Sequence, residues 1–326
     1  VGSVLALILA SCSSSPGKAT ATATTTTATS PKRPSTVHAP ARPVATSGPR
    51  LAVVVEENHS FLQIFQSGDA PNLTALAQRG VQFTHMYATS HPSLPNYLAL
   101  SSGSTHGATN DCNACSYPGD NLFSQLTKAG LSWRVYAQGY TGGCNIGPDK
   151  GIFVRRHVAA LSYQEVISDP TMCANVVPFE QLASDLKAGT LPKVSLIIPD
   201  LDHDMHGLKA GTSPALVQAA DALVAQLDTE LTTSTAWSPG SRMVITWDEG
   251  GGSKIEKKTG CCGGRSHGGH IPTIVLGSGL APGTDATDTD QYDLLRTIED
   301  RLGLPPLGAA ADPISHDIPA LASITR

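Results

Sequence analysis

Short apolar runs punctuate the chain and are separated by stretches whose apolar positions recur every three or four residues. Leu51 to Val55, Leu131 to Tyr136, Val194 to Ile198, Met243 to Trp247 and Thr273 to Leu276 read as strands, and Val81 to Tyr87 as a further extended run. A helix opens at Pro71, carries Leu73, Leu76 and Ala77, and closes at Gly80. Others are expected from Gly119-Asp120 to Gly130, from Pro178 to Gly189, through Leu216, Ala219, Leu223, Val224 and Leu227, and from Gln291 to Leu302. Ser93 falls in a loop, Tyr97 to Leu100 is helical, and Gln138 to Asn175 and Gly250 to Gly269 read as loops. Strands alternating with helices predict an α/β fold, with a mostly parallel central sheet sandwiched by helices on both faces.

Three of the strands run into polar residues that do not look like ordinary turns. The first meets Glu56, Glu57 and Asn58, a later one meets Asp200, Asp202, His203, Asp204 and His206, and Trp247 meets Asp248, Glu249 and three glycines. A single Asp-Glu-Gly reads best as a solvated turn. Three such strand ends in one open sheet predict a shared site, because ligands bind outside the carboxyl ends of the strands.

Composition narrows the class of function. A net charge of -5 and 5% aromatic residues give neither the electrostatic footprint nor the stacking platform of a nucleic-acid binder. The small apolar residues before Leu9-Ala10-Ser11-Cys12 resemble the remnant of a bacterial lipoprotein signal peptide over residues 1–12, with Cys12 as the lipid-bearing residue. Residues 13–49, rich in Thr, Ala, Ser and Pro, read as a disordered tether, and residues 50–326 as the catalytic domain. The expectation is a secreted protein, lipid-anchored to the outer face of the bacterial cell membrane. Six further cysteines in an exported chain point to disulfides whose pairing stays open, although Cys112, Cys115, Cys261 and Cys262 also fit a zinc knuckle.

Chemistry enters with Ser93, in a stretch framed by Pro92 and Pro95. A serine hydroxyl needs a base or a metal to become a nucleophile, and Ser93 does not stand in the Gly-x-Ser-x-Gly elbow of hydrolase triads. Glu57, Asn58, Asp248 and Glu249 offer only oxygen donors, which suit a hard divalent cation. Carboxylates, a cation and a serine together make a phosphoryl-transfer design.

Glu56 to Ser60, His91 to Leu100, Asp202 to His206, Thr246 to Glu249 and Ile271 to Thr273 occur in that order. Together they resemble the phosphoesterase family of bacterial and fungal acid phosphatases and bacterial phospholipases C, within the alkaline phosphatase superfamily. The resemblance covers residues 50 to 305. It implies that Ser93 is a phosphorylated nucleophile and that Glu57, Asn58, Asp248 and Glu249 bind one divalent metal ion: Ca, Mg, Mn or Fe, with Zn kept open by the superfamily. It implies Asp202 and His206 as the second half of the site, Asn110 as a phosphate contact, and a phosphorylated small molecule or a phosphoinositide as substrate.

Eleven histidines cannot all be catalytic. His206 is expected as the general acid, with His91 beside the nucleophile and His157 and His270 contacting substrate. His157 after two arginines could equally sit on a solvated basic face. His267 is a weaker candidate, and His85, His106, His203, His38 and His316 are assigned to structure or surface. The expected activity is an acid phosphatase working through phosphoserine. The alternatives are a phospholipase C-type phosphodiesterase and, from another class, a non-catalytic surface-binding lipoprotein.

Overall fold

The computed structural model describes residues 2, 48–144, 149, 151–209 and 213–326. Apart from Gly2, the expected leader through Cys12 and nearly all of the tether lie outside the described residues.

From the amino end the elements are β1 (Leu51–Glu56), α1 (Phe61–Phe65), α2 (Pro71–Arg79), β2 (Val81–Phe83), β3 (Met86–Tyr87), α3 (Ser93–Ser102) and α4 (Leu122–Lys128). They continue with β4 (Trp133–Ala137), α5 (Gln164–Ser168), α6 (Pro170–Cys173), β5 (Val176–Pro178), α7 (Gln181–Ala188), β6 (Val194–Ile198) and α8 (Pro214–Thr233). The last are β7 (Arg242–Trp247), β8 (Thr273–Leu276), β9 (Gly283–Asp285), β10 (Thr289–Asp290) and α9 (Gln291–Leu302).

Eight strands form one sheet in the order β5-β4-β6-β1-β7-β8-β2-β9. Pairing is parallel from β5 through β7, whereas β8 runs antiparallel to both β7 and β2. Every residue of β1 and β7 is buried, which explains why these runs lack polar alternation. The helices pack in two groups, α2 and α7 on α8, and α3 on α9 and α4. Buried Asp221 of α8 caps α2, accepting from the backbone N–H groups of Asn72 and Leu73 at 3.1 and 2.7 Å.

Four local expectations change. Helix α3 begins at Ser93 itself, since Pro92 has the extended backbone of an N-cap and Pro95 falls in the first turn, where a missing N–H costs nothing. Pro178 ends β5 instead of opening a helix, as a sheet-edge strand allows. The run from Val81 to Tyr87 breaks into β2 and β3, which join different sheets. The stretch from Gln138 to Asn175 contains short helical turns at Arg155–His157, Ala159–Ser162, α5 and α6, and a disulfide from Cys144 to Cys173 ties it together.

Candidate active site

The three strands that end in acids are immediate neighbours, β6, β1 and β7, and all point the same way. Their following loops are stitched together by backbone. Glu57 N–H donates to the Asp204 carbonyl at 2.8 Å, and Asp248 N–H to the Glu56 carbonyl at 2.9 Å. Asn58 takes a left-handed φ of 50°, which turns its N–H onto Asp248 Oδ1 at 3.0 Å. Met205 also sits at positive φ, 78°, between Asp204 and His206. Asparagine enters this region readily, whereas a methionine held there is uncommon.

Ser93, the first residue of α3, is 2% exposed, and its hydroxyl donates to Glu57 Oε2 at 3.0 Å. One turn later on the same helix face, Tyr97 donates its hydroxyl to Glu57 Oε1 at 2.5 Å. Both carboxylate oxygens of Glu57 are thus oriented by one helix. Leu94 N–H donates to Asp111 Oδ1 at 3.1 Å, and Asp111 also faces Arg156, whose Nε lies 3.2 Å from Oδ2. Asn110 is exposed, and its neighbour Asp111 makes the contact to α3.

On the β6 side the site is built from imidazoles and one further acid. His157 is buried, not on a solvated basic face: Nδ1 lies 3.3 Å from Glu57 Oε1 and 3.5 Å from Asp204 Oδ2, and the ring stacks on Tyr97. Burial, then Arg156 and His206, holds its pKa well below the ordinary histidine value. His206 lies edge-on to that ring, with centroids 6.2 Å apart. Its Nδ1 faces the Gly207 carbonyl at 2.7 Å, so Nδ1 is protonated and donates there, and Nε2 is left for other partners. Asp202 is exposed, whereas Asp204 is buried and contacts Glu57, His157 and the His206 N–H. His59 is also buried, with Nδ1 3.0 Å from the Glu57 carbonyl and Nε2 unbonded.

The remaining candidates lie at the rim. His91 pairs through Nδ1 with Glu249 Oε2 at 2.5 Å, which draws Glu249 toward the nucleophile's loop. His270 is placed elsewhere than expected, stacked on Phe61 at 4.7 Å and against Tyr87 at 5.3 Å, in an aromatic group that includes His85. His267 is exposed. The glycine-rich segment after Glu249 is laced back onto the site, and a Cβ on Gly251 would fall 2.1 Å from the Asn58 carbonyl oxygen. Arg265 pins the same segment to the start of α9 through Asp290, at 2.6 and 2.8 Å, and Asp293, at 2.9 Å. The zinc-knuckle alternative fails, because Cys112 bonds Cys115 and Cys261 bonds Cys262.

Electrostatically the site asks for a cation. Burial, followed by Asp248, Asp204 and Glu249, pushes the Glu57 carboxyl well above its usual range. Burial, followed by Glu249, does the same to Asp248. Asp204 is pushed up to about 7, again chiefly by burial. Ionising such acids together is costly without a positive partner. Asn58 Oδ1 and Asp248 Oδ2 are buried without hydrogen bonds, and with Glu57 and Ser93 they make an all-oxygen donor set. These residues fit a hard divalent cation. Among the described residues, the set of three His, Cys, Asp or Glu donors within 4.8 Å of one another is Cys261, Cys262 and Asp290, so Glu57, Asp248 and Glu249 do not close up that tightly.

Sequence reasoning missed Asp204, Tyr97, His59 and Asp111. Tyr97 had a usable signal, its spacing of four from Ser93 on a helix.

Comparison with known proteins bears on this geometry. Residues 45–305 match the phosphoesterase family. The phosphatidylinositol-3-phosphatase of Mycobacterium tuberculosis is 32% identical over 271 residues, covering 80% of this chain and 79% of that protein. A probable acid phosphatase of Kluyveromyces lactis is 28% identical, over 79% of this chain but 59% of its own length. In fold, the chain is similar to a protein in the alkaline phosphatase superfamily from Vibrio parahaemolyticus (TM-score 0.55, 16% identity, 83% of this chain and 72% of that one). It is also similar to a phosphonate monoester hydrolase from Silicibacter pomeroyi (TM-score 0.54, 14% identity, 86% and 78%). The chain belongs to the phosphoesterase family and is a hydrolase of phosphoric esters.

Proposed function

We propose that this enzyme is a metal-dependent acid phosphatase that hydrolyses phosphate monoesters through a phosphoserine on Ser93. The observation that carries the reading is the Ser93 hydroxyl, buried at the start of α3 and aimed at Glu57 Oε2 from 3.0 Å, inside a cluster of acids that calls for a cation. Glu57, Asn58 and Asp248 would hold that cation, and Glu249 would join them on leaving His91. When bound, the cation supplies charge neutralisation and lowers the pKa of the serine hydroxyl.

The remaining work falls to side chains. Ser93 Oγ forms a bond to phosphorus as the ester P–O bond breaks, and the serine proton leaves toward the acid cluster. His206 enters the step as the imidazolium: Nδ1–H stays on the Gly207 carbonyl and the Nε2 proton goes to the departing alkoxide. Water then attacks the phosphorus, the neutral His206 takes its proton at Nε2, and the Ser93 oxygen leaves, recovering its own proton from the acid cluster. His157, kept neutral by burial and braced on Tyr97, holds Glu57 and Asp204 in place. Hydrolysis of phosphatidylinositol 3-phosphate is the substrate reading favoured by the name of the mycobacterial relative. Lipid attachment at Cys12, on the outer face of the membrane, remains part of the proposal on sequence grounds alone.

The test is Ser93→Ala assayed on p-nitrophenyl phosphate, with acid-quenched enzyme analysed for a phosphorylated Ser93 peptide. The expected loss is about 10³-fold or more in kcat. Full activity in the variant ends the proposal.

A further inference from the structure

Among the described residues the exposed large hydrophobics are Leu62, Leu208, Ile255 and Ile314, at 42%, 68%, 80% and 54% exposure. Single exposed apolar residues need no explanation. Their placement does. Leu208 lies two residues beyond His206, and Leu62 is on α1, just after Asn58 and His59. Ile255 belongs to the glycine-rich segment, which packs on α1: a Cβ on Gly252 would meet both Gln63 and Glu256 side chains. Ile314 stands against that segment too, 3.6 Å from the Cβ position of Gly263, and the adjoining Ser315 accepts from Arg265 at 2.7 Å. All four therefore project from segments on or packed against the loops that carry the Ser93 site.

Lysines stand among them. Lys209 follows Leu208, and Lys254 and Lys258 bracket Ile255; all three are exposed and make no ion pair among the described residues. Glu256, between them, accepts from the Ser253 N–H at 2.8 Å, and the exposed opposing charges are Asp202 on the Leu208 loop and Asp312 beside Ile314. Lysines gathered here run against a chain whose net charge is -5. Protein–protein interfaces are depleted in lysine at their centres, whereas apolar tips interleaved with lysine suit an anionic lipid surface.

We infer that Leu62, Leu208, Ile255 and Ile314, with Lys209, Lys254 and Lys258, form a docking surface for a bilayer containing anionic lipid, which sets the mouth of the site against the membrane. The inference takes only the position of that mouth from the phosphatase reading. Inserting one such aliphatic side chain is worth about tenfold in partitioning, and one lysine near the surface about fivefold. Neither needs an acyl chain.

The test uses the full chain with Cys12→Ser, so that no lipid modification contributes, and co-sedimentation with vesicles of phosphatidylcholine alone or mixed with phosphatidylserine. The protein should bind the mixed vesicles far better than the neutral ones. Leu208→Asp with Ile255→Asp should weaken binding by about 100-fold, and Lys254→Glu with Lys258→Glu should abolish the preference for phosphatidylserine. Both double variants should hydrolyse p-nitrophenyl phosphate at the parent rate. The inference is overturned if the parent does not bind, if it binds both vesicles equally, if either double variant binds as the parent does, or if Ile255→Asp instead dissociates a dimer in solution. Vesicle binding by a protein without phosphatase activity would sink the Ser93 reading and leave this one standing.

Discussion

Tyr97→Phe removes one oxygen and keeps the ring that stacks on His157 at 5.4 Å, so the change is confined to the bond with Glu57. Burial and the Glu57 carboxylate keep the phenol well above its ordinary pKa, so it remains a donor throughout the working range. A buried hydrogen bond to a charged acceptor contributes about 1.5–3 kcal/mol. Losing it leaves Glu57 Oε1 with His157 Nδ1 at 3.3 Å as its nearby partner and frees the carboxylate to turn. Because Glu57 is a proposed cation ligand, affinity for a divalent cation should fall about 10–100-fold. Calorimetric titration of chelator-treated protein with Mg²⁺, Mn²⁺ and Ca²⁺ measures this, and kcat should largely recover at saturating cation. Unchanged affinity, or a kcat deficit that saturating cation does not relieve, refutes the role given to Tyr97.

Three other outcomes follow from the same geometry. Gly251→Ala must push a methyl into the Asn58 carbonyl, 2.1 Å from the Cβ position, and should lose most activity with a stability cost of about 1–3 kcal/mol; Gly283→Ala, with nothing within 4 Å, should be near neutral in the same thermal melt and rate assay. Asp204→Asn should sharply lower kcat while Asp202→Asn leaves it unchanged, and the reverse ranking would reinstate the exposed aspartate. Glu299 has its pKa raised from 4.5 to about 8 by burial. Between those values the folded state holds a proton that the unfolded state has lost, so this group's contribution to stability declines as pH rises through that window. Glu299→Gln keeps an acceptor for the Leu307 N–H, bonded at 3.0 Å in the parent, and should gain thermal stability over the parent progressively across the window; parallel melting curves in a pH series would contradict the assignment.

The sheet was legible because its strands are buried on both faces and so read as unbroken apolar runs, and because their ends carry acids that no solvated turn requires. Glu57 and Asp248 stand out by their position at strand ends, whereas the role given to Ser93 rests on the family resemblance. Asp204 could not be separated from Asp202, since the choice depends on a left-handed backbone at Met205 that nothing in the residue's chemistry announces. The place of His270 depended on stacking with Phe61, most of the sheet away in sequence, and the antiparallel course of β8 on how the glycine-rich segment turns back. Helix α3 was read as starting late because prolines were weighed as loop formers, although both fall where a helix tolerates them.

Glu57, Asp204 and Asp248 follow strands that meet only at the middle of the sheet, Ser93 comes from α3 and His157 from a short helical turn, and more than half the chain lies between first and last. No contiguous fragment can carry a partial version of this centre. Recovery of turnover after denaturation should therefore track completion of the β6-β1-β7 pairing and lag any burst of helix signal, while fraying of the outlying β5 or β9 should leave it untouched.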